Sequence, residues 1–270
     1  MQSMDKDVQK EALAKAPPSP SSDPPPYESV AVLSTPVHEQ LQGKRIILAS
    51  SSPRRRRLIE QMVWVFLRSD FIIQGFCNVE VQLPDLEEPV NPSDRIPWEF
   101  CVDMASRKAL RVYESQVNTS PPPALVVAAD TVVLSGALIL GKPRSQSEQL
   151  VTLRRLRDSK RPHKVFTGVA VIVPLRVPIH PGYNLRTHVE ESEVTFDASV
   201  SDEFLEAYVR CGEGIDKAGG YGIQGYGALL VESISGDYTN IIGLPVRSTF
   251  KLIEKTLNED LYDNLPDHMI

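Results

Sequence analysis

The sequence predicts an α/β fold built around a mixed sheet. Three observations carry this expectation. Strand-sized apolar runs recur along the chain, and helical stretches with start and stop signals lie between them. The two kinds of segment interleave without the strict strand–helix–strand repetition of an all-parallel fold. A chain of 270 residues, 41% of them hydrophobic, has room for one large domain or two small ones with an ample core.

Taken in order, residues 1–42 hold Pro17, Pro18, Pro20, Pro24, Pro25 and Pro26 among Ser, Asp and Lys, a composition that cannot bury a core. A disordered tail is expected there. Within it, Pro24-Pro25-Pro26-Tyr27 is similar to the ligands that WW domains read in polyproline II geometry. A strand is predicted over 45–49, and a helix over 53–61 with Ser52 as cap and Pro53 in the first helical position. The stretch 63–76 holds Trp64, Phe66, Leu67, Phe71, Ile72 and Ile73 in no clear period. After a loop with Pro89, Pro92 and Pro97, a helix is predicted over 99–115, with Phe100, Met104, Leu110 and Val112 facing inward.

Residues 125–134 read as a buried strand, Ser135-Gly136 as a turn and 137–140 as a short second strand. Ser145 and Glu148 have capping-box spacing at the head of a helix that carries Leu150, Leu153 and Leu156. Strands are predicted over 163–177 and 189–197. Ser201 caps a helix that Gly212 ends. Residues 225–233 and 241–243 read as strands, and 246–257 as the last helix. The expected organisation is a tail over 1–42, one domain over 43–258 and a C-terminal tail over 259–270.

Composition excludes several functions. A net charge of −6 gives no global electrostatic case for nucleic-acid binding, so any positive charge that matters is local. Cys77, Cys101 and Cys211 are odd in number, far apart and form no CxxC pair, which predicts reduced thiols, an intracellular setting and no structural zinc. The histidines show no HExxH spacing, and no GxSxG elbow occurs. No apolar run approaches a membrane span and no signal-peptide core follows the first residues, so a soluble, cytosolic protein is expected.

The chemistry-bearing residues begin with Arg54, Arg55, Arg56 and Arg57, which fill the opening turn of the predicted helix after Ser52-Pro53. Cations there oppose the helix dipole and repel one another, which is poor for stability and good for holding an anion. A nuclear-localisation run would lie in a flexible tail rather than between a strand and a helix. Asp130 sits inside an apolar strand, where a carboxylate is costly unless it is paired or placed at a cleft. Lys108 lies in a small-residue helical stretch and Lys142 in the turn before the capped helix; each alone reads as a solvated lysine. Gly220-Tyr221-Gly222-Ile223-Gln224-Gly225 matches GxGxxG but lacks the strand before and helix after that a dinucleotide fingerprint needs. Its glycines suit sharp turns or close approach to a ligand, and Gln224 offers a donor and an acceptor for a base edge. An acid, several cations and a glycine-lined amide suit phosphate-ester chemistry on a nucleotide.

These residues also carry a family resemblance. Leu48-Ala49-Ser50-Ser51-Ser52-Pro53-Arg54-Arg55 resembles the opening motif of the Maf nucleoside triphosphate pyrophosphatases. Ala105-Ser106-Arg107-Lys108-Ala109, Ala129-Asp130-Thr131, Gly141-Lys142-Pro143 and Phe166-Thr167-Gly168-Val169 follow in the family's order. So do Asp216-Lys217-Ala218-Gly219-Gly220-Tyr221-Gly222-Ile223-Gln224-Gly225, Gly236-Asp237-Tyr238 and Gly243-Leu244-Pro245. The likeness spans residues 44–257 and extends to the Maf-like part of acetylserotonin methyltransferase-like protein.

The resemblance implies a two-lobed domain with a nucleotide cleft, and hydrolysis of a nucleoside triphosphate to monophosphate and pyrophosphate with Mg²⁺ or Mn²⁺. It implies that Asp130 is the proton acceptor, that Arg55, Thr131 and Gln224 govern substrate choice, and that Ser50, Arg54, Lys108 and Lys142 line the pocket. The retained Ser-Pro-Arg-Arg, Ala-Asp-Thr and Ile-Gln-Gly strings resemble the branch acting on dTTP and UTP rather than that acting on 7-methyl-GTP. A homodimer is implied as well. Residues 64–76 read as an insertion, which leaves the family's pocket glutamate between Glu87 and Glu88 and the metal ligands unassigned. A non-catalytic regulatory protein working through its Pro-rich tail, and a nucleic-acid binder using residues 54–57, are the alternatives.

Overall fold

In the computed structural model, which describes residues 35–63, 79–86, 96–175 and 180–262, seven strands form one open mixed sheet. They are β1 Ile46–Leu48, β2 Val79–Val81, β3 Leu125–Ser135, β4 Leu138–Leu140, β5 His163–Pro174, β6 Tyr183–Phe196 and β7 Val231–Ser235. The spatial order is β2-β1-β3-β5-β6-β7, with β4 folded back on β3. The β1/β2 and β1/β3 pairs are parallel and all other pairs antiparallel. The described residues fall in one compact unit, and the expected mixed-sheet α/β architecture is what they form.

Among the described residues seven helices accompany the sheet: α1 Pro36–Leu41, α2 Pro53–Val63, α3 Pro97–Gln116, α4 Gln146–Asp158, α5 Asp202–Cys211, α6 Tyr238–Ile242 and α7 Val246–Tyr262. On one face, Ala105, Ala109, Val112 and Tyr113 of α3 pack against Ala128, Ala170 and Ile172. On the opposite face the core divides. Val127, Ala129, Val169 and Val171 pack with Ile59 of α2 and Ile253 of α7. Further along the same strands, Val133, Val165 and Val194 pack with Leu153 and Leu156 of α4 and Leu205 of α5. These are the two lobes, joined by β3, β5 and β6. On β3 the junction falls between Ala129 and Val133.

The helix signals act as their chemistry dictates. Ser52 Oγ accepts from Arg55 N–H at 3.3 Å, Ser145 Oγ from Glu148 N–H at 3.1 Å and Ser201 Oγ from Phe204 N–H at 3.2 Å. Glu148 accepts from Arg144 N–H at 2.9 Å, one residue beyond the N-cap N–H that the expected box would use. Gly212 ends α5 with φ +76°.

Five expectations need correction. Helix α1 lies inside the stretch assigned to the tail, and Val37 and Leu41 are buried in the first lobe. His38 Nε2 also bonds Met62 O at 3.1 Å, so packed chain begins ahead of residue 43. Residues 226–230 are a 3₁₀ turn rather than a strand, and β7 starts only at Val231. Residues 241–243 are not a strand: Asp237 caps α6 by accepting from Thr239 N–H at 2.7 Å, and Gly243 ends it. Strand β6 begins at Tyr183, six residues before the expected start, and Asn184, Arg186 and His188 alternate along it with Tyr183, Leu185 and Thr187. Helix α7 runs to Tyr262, past the boundary at 258. The Pro24–Tyr27 motif, most of 63–76, and Glu87 and Glu88 lie outside the described residues. Among the described residues no helix is long and apolar enough to cross a membrane.

Candidate active site

The site is built where β3 changes partners. Along one edge, β3 pairs with β1 at Leu125, Val126 and Val127 and with β4 from Val133 onward. Between them residues 128–132 have no strand neighbour on that edge among the described residues. Asp130 and Thr131 stand in this interval. Because side chains alternate across a sheet, they point to opposite faces.

On the α3 face, Lys108 Nζ lies 2.6 Å from Asp130 Oδ1, with the two side chains only 10% and 15% exposed. The pair resolves both local anomalies, since each buried charge compensates the other. The geometry depends on Gly168, the β5 residue directly opposite Asp130. A Cβ there would lie 2.4 Å from the carbonyl carbon of Cys101, so glycine lets α3 press onto the strand. Cys101 and Lys108 are seven residues apart and share a helix face. Burial, and then the Asp130 charge, push the Cys101 thiol up to about 12, so it is an inert neighbour that donates to Trp98 O at 3.3 Å.

On the other face, Arg55 is fixed by three groups. Its Nε donates to Gly243 O at 2.8 Å, Nη2 to Thr131 Oγ1 at 2.9 Å and Nη1 to Ser50 Oγ at 3.4 Å. Thr167 Oγ1 donates to Asn240 O at 3.1 Å, so its single hydrogen is committed. The 2.9 Å contact between Thr131 and Thr167 therefore has Thr131 as donor, which leaves Thr131 Oγ1 to accept from Arg55. Asn240, fully buried, anchors this chain by donating to Val165 O at 3.0 Å and Ser192 Oγ at 2.9 Å.

The remaining candidates come from two linked loops. Gly219 N–H bonds Gly141 O at 3.1 Å, and the buried Gln149 donates to Gly220 O at 2.9 Å, so the Gly-Lys-Pro turn and the glycine loop are tied together. Lys142 is exposed in this turn. Arg54 of α2 reaches the same loop through Asp216 at 3.3 Å. Burial opposes the charge on Asp216, but Lys217 and then Arg54 hold its carboxyl below the ordinary value. Gln224 is exposed and makes no side-chain hydrogen bond among the described residues.

The structure thus brings Ser50, Arg55 and Thr131 into contact and pairs Lys108 with Asp130. It places Lys142 and Gln224 on the connected loops and Arg54 on α2 beside them, and none bonds directly to the other five. Arg56 and Arg57 are exposed, and Arg56 pairs with Glu60 at 2.7 Å. The anion-site expectation therefore narrows from four arginines to two. Sequence reasoning gave no role to Thr167 and Asn240, which hold Thr131 from behind. Two threonines opposite each other on neighbouring strands are a readable signal only once the register is known. Among the described residues no group of three His, Cys, Asp or Glu side chains gathers as a metal site.

Comparison with known proteins identifies the family. A family model described as Maf-like protein matches residues 45–256. The chain is 52% identical over 244 residues to the dTTP/UTP pyrophosphatase of Schizosaccharomyces pombe, covering 90% of this chain and 96% of the relative. It is 38% identical over 209 residues to that of Pyrococcus abyssi, covering 77% and 95%. It is 36% identical over 224 residues to a human probable bifunctional dTTP/UTP pyrophosphatase/methyltransferase protein, covering 82% of this chain and 33% of the relative. The match spans both lobes and every segment that contributes to the site: the chain belongs to the Maf-like protein family.

Proposed function

We propose that the protein hydrolyses dTTP and UTP to the nucleoside monophosphate and pyrophosphate. The observation that carries this reading is the Lys108–Asp130 pair, largely screened from solvent, in the interval where β3 lacks a strand neighbour on one side. The names of the relatives supply the substrates.

In this reading Asp130 accepts a proton from water as its oxygen attacks the α-phosphorus. The bond from that phosphorus to the bridging oxygen breaks, and pyrophosphate leaves with the electron pair. Lys108, 2.6 Å from its Oδ1, holds Asp130 in orientation. Arg54 of α2 and Lys142 of the Gly-Lys-Pro turn neutralise the triphosphate, with Ser50 holding the start of α2 beside them. Arg55, Thr131 and Gln224 set the substrate choice. Gln224 can pair with the imide edge of thymine or uracil, where one N–H lies between two carbonyls; cytosine presents a different pattern and leaves a partner unsatisfied.

A divalent cation, Mg²⁺ or Mn²⁺, belongs to the same proposal. Asp130 Oδ1 is taken by Lys108, while Oδ2 makes no hydrogen bond among the described residues. One carboxylate oxygen completed by phosphate oxygens is a donor set that Mg²⁺ accepts. When bound, the ion would offset phosphate charge. A cytosolic setting, a homodimer and a WW-domain contact through Tyr27 complete the reading; size-exclusion chromatography and a pull-down with Tyr27→Ala as control test the last two.

Pyrophosphate release from a panel of triphosphates tests the central claim. Preference for dTTP and UTP is expected. Preference for 7-methyl-GTP or purine triphosphates would overturn the substrate class, and no turnover of any nucleotide would leave the non-catalytic alternative.

A further inference from the structure

We propose that Glu213 is the positioning residue for base selection, acting by fixing the loop that presents Gln224. This rests on the reading of Gln224 given above. The carboxylate lies in the turn after α5 and gathers three donors. Its Oε1 accepts from Tyr208 Oη–H at 3.0 Å and from Gly227 N–H at 3.0 Å, and its Oε2 accepts from Tyr226 N–H at 2.8 Å. The phenol oxygen of Tyr208 in turn accepts from Gly222 N–H at 3.0 Å. Burial pushes the Tyr208 phenol well above its ordinary value, so it remains a donor to the carboxylate at neutral pH.

Residues 222, 226 and 227 are therefore all held by one carboxylate–phenol pair, and Gln224 lies between them. The glycines follow from this arrangement. A Cβ at 225 would sit 2.2 Å from Glu213 Oε2, and one at 227 would sit 2.5 Å from Gly222 O. They let the chain close around the carboxylate. Gln224 has no side-chain partner of its own among the described residues, so its aim is set by the backbone on either side. A carboxylate only accepts, and it receives N–H groups from two consecutive residues, 226 and 227. An amide cannot replace it: its NH₂ group would face an N–H.

The experiment compares kcat and KM for dTTP and dCTP in the wild type, Glu213→Gln, Gln224→Ala and the double variant. Glu213→Gln should lower the dTTP-to-dCTP ratio of kcat/KM by about 10- to 100-fold, the worth of a lost charge-assisted hydrogen bond. The loss should fall on KM for dTTP rather than on kcat. The double variant should be no less selective than Gln224→Ala alone. Tyr208→Phe, which keeps the ring and removes the hydroxyl, should shift the same ratio in the same direction by less. If Glu213→Gln fails to fold, that variant decides the matter. Equal loss of kcat for both nucleotides, or effects that multiply in the double variant, would overturn the inference. A changed ratio in Gln224→Ala with none in Glu213→Gln and Tyr208→Phe would remove the role of Glu213 alone. An unchanged ratio in Gln224→Ala would remove the base-reading role and this inference with it.

Discussion

Gly168 and the backbone of Cys101 lie so close that a single methyl group on Gly168 would come within 2.4 Å of a main-chain carbon. The contact sets how near α3 lies to β5, and so where Lys108 meets Asp130. Gly168→Ala should cost about 1–3 kcal/mol or more, because rigid backbone rather than a movable side chain must give way. Denaturant unfolding should show the loss. Turnover should fall further than stability predicts, since α3 carries Lys108 outward.

The ion pair itself can be dissected. Asp130→Asn keeps shape but cannot accept a proton, and should lower kcat by about 10²–10⁴-fold. Lys108→Met alone should destabilise the fold by about 3–5 kcal/mol, because it strands a carboxylate that is 15% exposed. Combining the two should restore stability without restoring turnover. Thermal denaturation and pyrophosphate release, measured in parallel, separate the two effects.

Arg55 and Arg57 are two residues apart on α2, yet only Arg55 is bonded to Gly243, Thr131 and Ser50. Arg55→Ala should lower kcat/KM for dTTP by about 10²-fold or more, the scale seen when a preorganised donor is removed. Arg57→Ala should change it little. Equal effects would reduce the run to a diffuse basic face.

His163 gives the fold a pH dependence. It is buried between Phe196 and Tyr221, bonds the Tyr221 hydroxyl at 2.7 Å, and burial lowers its pKa from 6.5 to about 4. Between those values the unfolded chain binds a proton that the folded chain refuses. Stability should therefore fall as pH drops from 6.5 to 4, by on the order of 3 kcal/mol in all. Unfolding midpoints from pH 7 to pH 4 should show this slope, and His163→Gln should flatten it.

The boundary of the packed chain is also testable. Deleting residues 1–34 leaves every described contact in place, and stability should be retained. Deleting 1–42 removes the buried side chains of Val37 and Leu41, each worth about 1.5–3 kcal/mol, and should lower the melting temperature.

What the sequence showed and hid divides along physical lines. Asp130 was legible because a charge in an apolar strand is anomalous in any fold, and the caps Ser52, Ser145 and Ser201 because their bonds are local. Helix α6 was not, because Ile241 and Ile242 look like strand residues until Asp237 is seen capping them. Glu213 was invisible for a different reason. A glutamate after a helix reads as solvated, and only the folded loop turns three donors toward it. The two lysines that read singly as surface residues also parted company, since only Lys108 is buried, by a contact that depends on a glycine 60 residues away in sequence.

The alternation of β3 across the sheet makes register a chemical constraint. Asp130 and Thr131 are neighbours in sequence, but one belongs to an ion pair and the other to a chain of hydroxyls on the far side. Sliding β3 by a single residue would exchange them, placing a threonine before Lys108 and a carboxylate among Arg55, Thr167 and Asn240. Both partner sets would then be mismatched, and the residues fitted to α3 would exchange places with those fitted to the helices of the opposite face. A one-residue insertion or deletion between Ala128 and Val133 is therefore far less tolerable than a substitution there.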